Sequence, residues 1–537
     1  MARLTVSAAA RGLLLSASFV VFAGQTLLAQ EFPSPFIQTI AIEAAEDEAI
    51  AAFYRENGYR TLWTGAAEQD SARRAALLQA LSRAGDHALP TARYDVAKLT
   101  AMLTTAQTEG DRARAEVALT RAYLSYARDV STGATNPKSV DPGIVREIGR
   151  PDPTLLLAQM QARNPAEVLH GLLPSSPRYA QLVRAKLALE ASMDQGGWGT
   201  VVRAKSLAPG DTGDAVVALR DRLIAMGYLS RSATQSYDAT IENAVQRFQL
   251  DHGLVADGAA GEGTLAELNI GPDARLKSVI VAIERVRWMH DTPLGDRHIW
   301  VNIPDFTAKI IDQGKVTFET RSVVGKDVTA QHTPEFSDMM AHMVINPSWG
   351  VPRSIIVNEY LPLLQRNPNA VSHLQVIDNR GRVVPRGSVN FAGYSSRTFP
   401  FGLRQPPSNG NALGLVKFMF PNVHNIYLHD TPAKNLFSHD VRAYSHGCIR
   451  LADPFDFAYA LLALQSDDPQ AEFARHLKTG NETTVRLEQK VPVHLVYFTA
   501  YPGAKGQMTY RRDIYGRDAK LFQALEAAGV VLPSVRG

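Results

Sequence analysis

The hydrophobic pattern of this 537-residue chain changes period near residue 298, and that change limits what it can fold into. Before it, apolar residues recur three and four apart. Ile37, Ile40 and Ile42 run into Ile50, Phe53 and Tyr54, then Leu77, Leu78 and Leu81, then Val117 through Tyr126. That is the period of one helix face, and Pro/Asp breaks at 136–142 and 150–153 divide it into separate helices. After residue 298, Ile299–Ile303 and Thr307–Asp312 read as strands, and a Gly314 turn leads into Val316–Glu319. Further strands are expected at Met343–Asn346, Tyr427–His429 and Val493–Tyr497. The pattern predicts a multidomain α+β protein: a helical scaffold over 36–195, a β-rich domain over 296–490 and a C-terminal segment over 491–537. At about 150 residues per domain the length accommodates three to four modules.

Composition removes several classes. Hydrophobic residues make up 45% and charged residues 20%, which is globular composition. The 56 basic and 53 acidic residues are interspersed, with no basic block, so a nucleic-acid partner is not expected. A mean hydropathy of -0.13 excludes a polytopic membrane protein. The chain holds one cysteine, Cys448, which excludes an intramolecular disulfide, a CxxC metal knuckle and a thioredoxin-like pair.

The N-terminus suggests a compartment. Arg3 and Arg11 precede an apolar run from Gly12 to Gly24, the layout of a secretory signal over residues 1–30. The run is short for a spanning helix, although extension to Ala29 across Gln25 and Thr26 leaves an uncleaved anchor open; no clear cleavage triplet follows. Export is expected, with any membrane contact through this segment alone. A lone cysteine in an oxidising compartment is either buried and inert or kept for its reactivity.

Residues 207–269 form a distinct unit. Leu207-Ala-Pro-Gly-Asp-Thr-Gly-Asp opens a helix with Val216, Leu219, Leu223 and Ile224 on one face, ended by Gly227. Asp238 stands as N-cap before Ile241, Ala244, Val245 and Phe248, and Asp257-Gly258 leads into a third helix ending at Leu268. The pattern suits any small helical bundle, but its turns and apolar positions resemble the peptidoglycan-binding domain of bacterial wall hydrolases, which implies docking to wall glycan or peptide.

The chemistry is concentrated around Tyr427-Leu-His429-Asp-Thr-Pro and Ser445-His446-Gly447-Cys448-Ile-Arg450-Leu. A thiol of ordinary pKa is mostly protonated at neutral pH and needs a base or a positive field to attack a carbonyl. His429, His446 and Arg450 are candidate suppliers, and the Cys448 N–H beside flexible Gly447 is a candidate oxyanion donor. Acyl transfer through a thioester is the reaction such a group serves. A metal site from His429, His439, His446 and Cys448 is an alternative, though it lacks the usual paired ligand spacing.

HDTP followed by SHGCIRL, with His429 and Cys448 nineteen positions apart, closely resembles the signature of L,D-transpeptidases, exported cysteine enzymes that cross-link peptidoglycan. Val324-Gly325 ahead of Thr333-Pro334, the run Asn346–Pro352 and Asn411–Phe418 fit the same pattern. The order of helical scaffold, wall-binding module and catalytic domain resembles the large Gram-negative members. The resemblance implies Cys448 as nucleophile and His429 as general base. It implies cross-linking of the 3→3 type with release of D-alanine, acylation by carbapenems, and no metal or organic cofactor. Tyr427, two residues before His429, is expected on the same strand face as that histidine, as an oxyanion contact or as packing. Arg450 would hold a substrate carboxylate, support the thiolate or form a salt bridge. His446 would touch substrate or pack beside the cysteine turn, and Trp349 and Asn346 would line or brace the cleft. His424, His439 and Asp440 read as loop residues. The excursion from Asn358 to about Gln405 is expected to be a lid. The same site would serve an L,D-carboxypeptidase, or an enzyme that attaches or releases a wall-bound lipoprotein. A non-catalytic wall-binding scaffold and a zinc hydrolase are further alternatives. Wall stem peptides and glycan are the expected partners, with glycan synthases and carboxypeptidases as collaborators.

Overall fold

The change of period is where the structure changes from helices to sheet. The computed structural model describes residues 33–504 and 506–532; the expected signal segment lies outside them. Helices from Pro35–Glu43 to Pro165–Gly171 build the scaffold around Ile40, Tyr54, Trp63, Leu77, Tyr123 and Val130, and Pro177–Asp194 adjoins it from a second core. Its longest member, Glu109–Thr132, starts with a reciprocal cap between Thr108 and Asp111. The small module forms as expected. Helices Asp214–Ala225, Ala239–Asp251 and Glu262–Leu268 share one core, and the Asp238 carboxylate caps the second by accepting from the N–H of Thr240 and Ile241.

One helix escaped the sequence reading. Pro272–Trp288 is buried on nearly all sides, including Arg275, Glu284, Arg285 and Arg287, and its apolar face shares a core with Leu182, Trp300, Phe498 and Leu521. It therefore packs between the scaffold, the sheet and the C-terminal tail. Charged residues that are themselves buried interrupt its apolar positions, so no single-faced stripe stands out in the sequence.

The β-rich region begins with β1 Arg297–Asn302, β2 Thr307–Asp312, β3 Lys315–Gly325 and β4 Phe336–Ile345. An inserted unit then carries β5 Trp349–Gly350, β6 Gln375–Ile377, β7 Val383–Val384 and β8 Gly402–Gln405. The chain returns with β9 Val416–Met419, β10 Leu428–His429, β11 Ala443–Ser445, β12 Ile449–Leu451 and β13 Thr483–Val496. The main sheet runs β11-β3-β12-β10-β9-β4-β13-β1-β2, and β2 also pairs with β3, so it closes on itself. Closure leaves an interior just wide enough for side chains, here Val301, Ile310, Met343, Phe418, Leu428, Ile449 and Leu495.

The inserted unit is larger than the expected lid and starts earlier, at Trp349. It has its own four-stranded sheet, β5-β8-β6-β7, and its own core of Ile356, Leu361, Leu364, Val376, Phe391 and Leu403. Its base is stapled by buried Asn411, whose Nδ2 donates to the carbonyls of Pro347, Gln405 and Pro406.

The expected boundary at 490 is also corrected, because β13 runs straight through it and is central to the sheet. A register shift between Arg486 and Val491, around exposed Glu488-Gln489-Lys490, interrupts the alternation and hides the continuity. The tail beyond belongs to the same unit: β14 Ala500–Pro502 and β15 Met508–Tyr510 form a hairpin, and helix Arg517–Ala528 follows. The Tyr515 hydroxyl donates to the Gly325 carbonyl at 2.6 Å, beside the cysteine turn.

Candidate active site

Two short parallel strands set the geometry. β10 and β12 pair with Leu428 opposite Ile449 and His429 opposite Arg450. Leu428 and Ile449 point into the barrel core. Alternation then sends Tyr427, His429, Cys448 and Arg450 to the other face, and all four line one cavity of about 1080 Å³. The sequence expectation for Tyr427 and His429 therefore holds, and the register adds Cys448 and Arg450.

The turn before Cys448 is held by side-chain hydroxyls. Ser445 Oγ donates to the Cys448 carbonyl at 2.6 Å and accepts from the Gly447 N–H at 3.1 Å. Thr333 Oγ1 donates to the Gly447 carbonyl at 2.7 Å and accepts from the Gly325 N–H. Gly447 has φ +116, a conformation that L side chains rarely adopt, and a Cβ there would press on Ile426. Gly447, expected with the catalytic groups as the flexible neighbour of the Cys448 N–H, thus has a conformation that only the turn explains. Its N–H is already committed to Ser445, so it shapes the turn.

His429 is buried, its Nδ1–H donates to the Asp430 carbonyl at 2.5 Å, and the Leu413 carbonyl is a second backbone group within reach of the ring. Burial, followed by the Arg450 charge, lowers its pKa to about 3. Asp430 is fixed in turn by the N–H of Leu415 and Thr431 and by Lys434. Cys448 is half-buried, and its thiol donates to the Asn425 carbonyl at 3.5 Å. Burial pushes the thiol up to about 11, while the Tyr427 hydroxyl and Arg450 pull the other way. The resting pair is a neutral thiol and a neutral imidazole. The Tyr427 hydroxyl lies in hydrogen-bonding reach of the thiol and of the Trp349 indole N–H, and its own pKa is raised by burial. Arg450 is largely enclosed, its Nε has no partner among the described residues, and its burial lowers its pKa while a thiolate at Cys448 would raise it.

Of the other expected residues, Trp349 lines the cavity and stands edge-on to Tyr360 of the insertion. His446 lines it too, with Nε2–H donating to the Glu359 carboxylate at 2.7 Å. Asn346 does not line it. It sits in the left-handed region at φ +51, which asparagine tolerates, and its buried Nδ2 donates to the carbonyls of Leu477, His476 and Asn481. It braces the end of β4. His424, read as a loop residue, lines the cavity and packs on Phe336. His439 packs on Tyr444, and no three metal-donor side chains of the described residues converge. The sequence reading missed Arg353, Glu359, Tyr360 and His373 of the insertion, together with Asn425. Only Asn425 left a local trace: it is an asparagine held at φ +54, just before the strand.

With this geometry in place, comparison with known proteins is direct. Residues 296–483 match the L,D-transpeptidase catalytic domain, residues 212–268 a family described as a candidate peptidoglycan binding domain, and residues 48–185 a scaffold domain. A Haemophilus influenzae protein provisionally catalogued as an L,D-transpeptidase is 31% identical over 240 residues, covering 44% of this chain. The match spans about half of that relative, 47% of its length. Among solved structures, an L,D-transpeptidase fragment from Xylanimonas cellulosilytica is 15% identical and covers 55% of this chain and 98% of its own, with a TM-score of 0.17. A fused Zn-dependent amidase/peptidase/peptidoglycan-binding protein from Clostridium acetobutylicum is 12% identical, covering 55% and 100%, with a TM-score of 0.15. Overlap that low carries no weight here. The β-barrel region is an L,D-transpeptidase catalytic domain. Through it the chain is similar to the L,D-transpeptidases, a likeness carried by residues 296–483.

Proposed function

We propose that this protein is a periplasmic L,D-transpeptidase that forms 3→3 peptidoglycan cross-links by acyl transfer through Cys448. The observation that carries the reading is the common face of Tyr427, His429, Cys448 and Arg450 on two paired strands, opening into one cavity.

The steps follow from the protonation states. His429 Nε2 takes the thiol proton as Sγ attacks the carbonyl of the third stem residue. The C–N bond to the terminal D-alanine breaks, and the proton passes from His429 to the leaving amine. The side-chain amine of a second stem then attacks the thioester, the C–S bond breaks, an amide forms and Cys448 regains its proton. During attack, the Cys448 N–H and the Tyr427 hydroxyl would meet the oxyanion, and Arg450 would offer a cation to a stem carboxylate.

The supporting context is the module at 212–268, which would dock the enzyme on the wall, and the cored insertion, which would cover the donor and exclude water. Periplasmic location rests on the N-terminal apolar run, and no helix among the described residues is long and apolar enough to cross a membrane. Carbapenems are expected to acylate the same thiol. Glycan synthases and carboxypeptidases that make tetrapeptide stems are the proposed collaborators.

Mass spectrometry of the purified protein with disaccharide-tetrapeptide, beside Cys448→Ala, tests the reading. A dimer that has lost one D-alanine, absent with the variant, is the expected product. Tripeptide monomer alone would make the enzyme an L,D-carboxypeptidase. No acyl-enzyme from substrate or carbapenem would overturn the catalytic reading in favour of a wall-binding scaffold.

A further inference from the structure

The cavity around Cys448 is asymmetric in charge. Among the described residues that line it, Glu359 is the one carboxylate, set against Arg353 and Arg450. It lies on a π-helical turn, Ile356–Tyr360, of the insertion, a local geometry that recurs at functional sites. Its Oε1 accepts from His446 Nε2 at 2.7 Å, and His446 stands two residues before the cysteine. Both side chains keep solvent access, 43% for Glu359 and 32% for His446, whereas His429 is buried behind Cys448. The thiol therefore has an enclosed side built by the barrel and an open side built by a carboxylate–imidazole pair.

Transfer makes unequal demands on two substrates. The donor brings carboxylates and needs a base for the thiol, which the Arg450 and His429 side supplies. The acceptor brings a primary amine that is an ammonium at neutral pH, and it must lose a proton before its lone pair can attack a thioester. A carboxylate recognises that cation, and an imidazole whose Nε2–H is tied to the carboxylate carries its lone pair on Nδ1.

We propose that Glu359 and His446 form the acceptor subsite, which captures the primary ammonium of the incoming stem and takes its first proton. The proposal rests on the transpeptidase reading above and adds where the acceptor binds. The ammonium docks on Glu359 and passes one proton to His446, which becomes an imidazolium paired with Glu359. The neutral amine attacks the thioester carbonyl, the C–S bond breaks, and the second amine proton goes to the departing sulfur, directly or through His429. One amide, one thiol and one proton on His446 result, and that proton leaves to solvent. A lid latch with no part in acceptor chemistry would use the same contact, and the two roles differ in a measurable way.

The test uses the full protein, acylated on Cys448 by tetrapeptide donor and chased with two amines: the charged side-chain amine of a second stem, and methoxyamine, which is uncharged at neutral pH. Charge-assisted contacts of this kind correspond to losses of roughly 10- to 100-fold, so Glu359→Gln should slow capture of the stem amine by that factor. Methoxyamine should react nearly as with the wild type, and Glu359→Asp should recover most of the discrimination. Equal slowing of both amines, or equal indifference, would overturn the acceptor subsite and leave a latch. Failure of the wild-type protein to form the acyl-enzyme at all would overturn the transpeptidase reading itself, and the subsite with it.

Discussion

The two sides of Cys448 are made of different material. On one side, Tyr427, His429 and Arg450 sit on strands whose backbone ladders fix them to a closed, fully packed barrel. On the other, Glu359, Tyr360, Arg353 and His373 come from an insertion with a separate core, which meets the catalytic face through the His446–Glu359 hydrogen bond and through Trp349 beside Tyr427. The first side is preorganised, which is what stabilising a developing charge requires. The second can yield to a large substrate, as lid elements do. On the proposed function and acceptor subsite, bond breaking at the donor and selection of the acceptor fall to parts that can vary independently.

The largest test of that division is on the barrel side. Replacing His429 by glutamine removes the proton acceptor and should slow acylation by roughly 10²- to 10⁴-fold, measured as adduct formation with a carbapenem by mass spectrometry. A loss of only a few-fold would move the base to His446 and erase the asymmetry. The pH profile sharpens the same point. With His429 near 3 and Cys448 near 11, both groups stay neutral from pH 5 to 9, so acylation should show no limb from this imidazole in that range. A limb near pH 6.5 would show that the histidine is solvated. The depressed value also bears on stability. The folded state resists protonation that the unfolded chain accepts below about 6.5, so the stability due to neutral His429 is full above that pH. It is lost progressively as pH falls toward 3. His87 and His494, both lowered to about 4 chiefly by burial, act in the same direction, and thermal unfolding from pH 7 to 4 measures the sum.

A smaller effect is expected where a glycine lets backbone close on the catalytic turn. Gly414 has φ +62, and a Cβ there would fall on the Asp430 carboxylate, whose residue's carbonyl holds His429. Gly414→Ala should cost about 1–3 kcal/mol in denaturant unfolding, since the left-handed conformation and the clash both oppose it. It should also slow acylation by displacing the histidine. Unchanged acylation in the destabilised variant would mean that His429 is held by the β10–β12 ladder alone.

The unequal legibility of the two halves follows from the same physics. Cys448, His429 and Arg450 could be read because short strands and tight turns place sequence neighbours together, so a motif records a geometry. The α+β architecture was legible because helix and strand periods differ. Glu359 was not, because it meets His446 from 87 positions away through a fold that no local pattern encodes. Helix Pro272–Trp288 was lost because buried charged residues interrupt its apolar stripe, and the continuity of β13 because its bulge broke the alternation. Asn346 looked like a cleft residue because it adjoins Trp349 in sequence. Its left-handed backbone accompanies a side chain directed to the carbonyls of His476 and Leu477, at the end of helix Pro469–Leu477, and of Asn481 instead.

The subtlest test concerns how far the rigid half extends. Tyr515 lies beyond the matched catalytic domain, which ends at residue 483. Yet its hydroxyl donates to the Gly325 carbonyl, accepts from the Thr333 N–H at 3.4 Å, and its ring stacks on His332. Thr333 in turn holds the Gly447 carbonyl, so a chain of hydrogen bonds links the C-terminal tail to the cysteine turn. Tyr515→Phe keeps the stacking and removes one hydroxyl, which should cost about 1 kcal/mol of stability and slow acylation only a few-fold. The informative quantity is the ratio of acylation to aminolysis. If the tail supports the barrel side alone, acylation should fall while transfer from a preformed acyl-enzyme to amine stays near the wild-type rate. Equal loss in both half-reactions would mean that the turn carrying Cys448 moves as one piece with His446, joining the two sides that the structure separates.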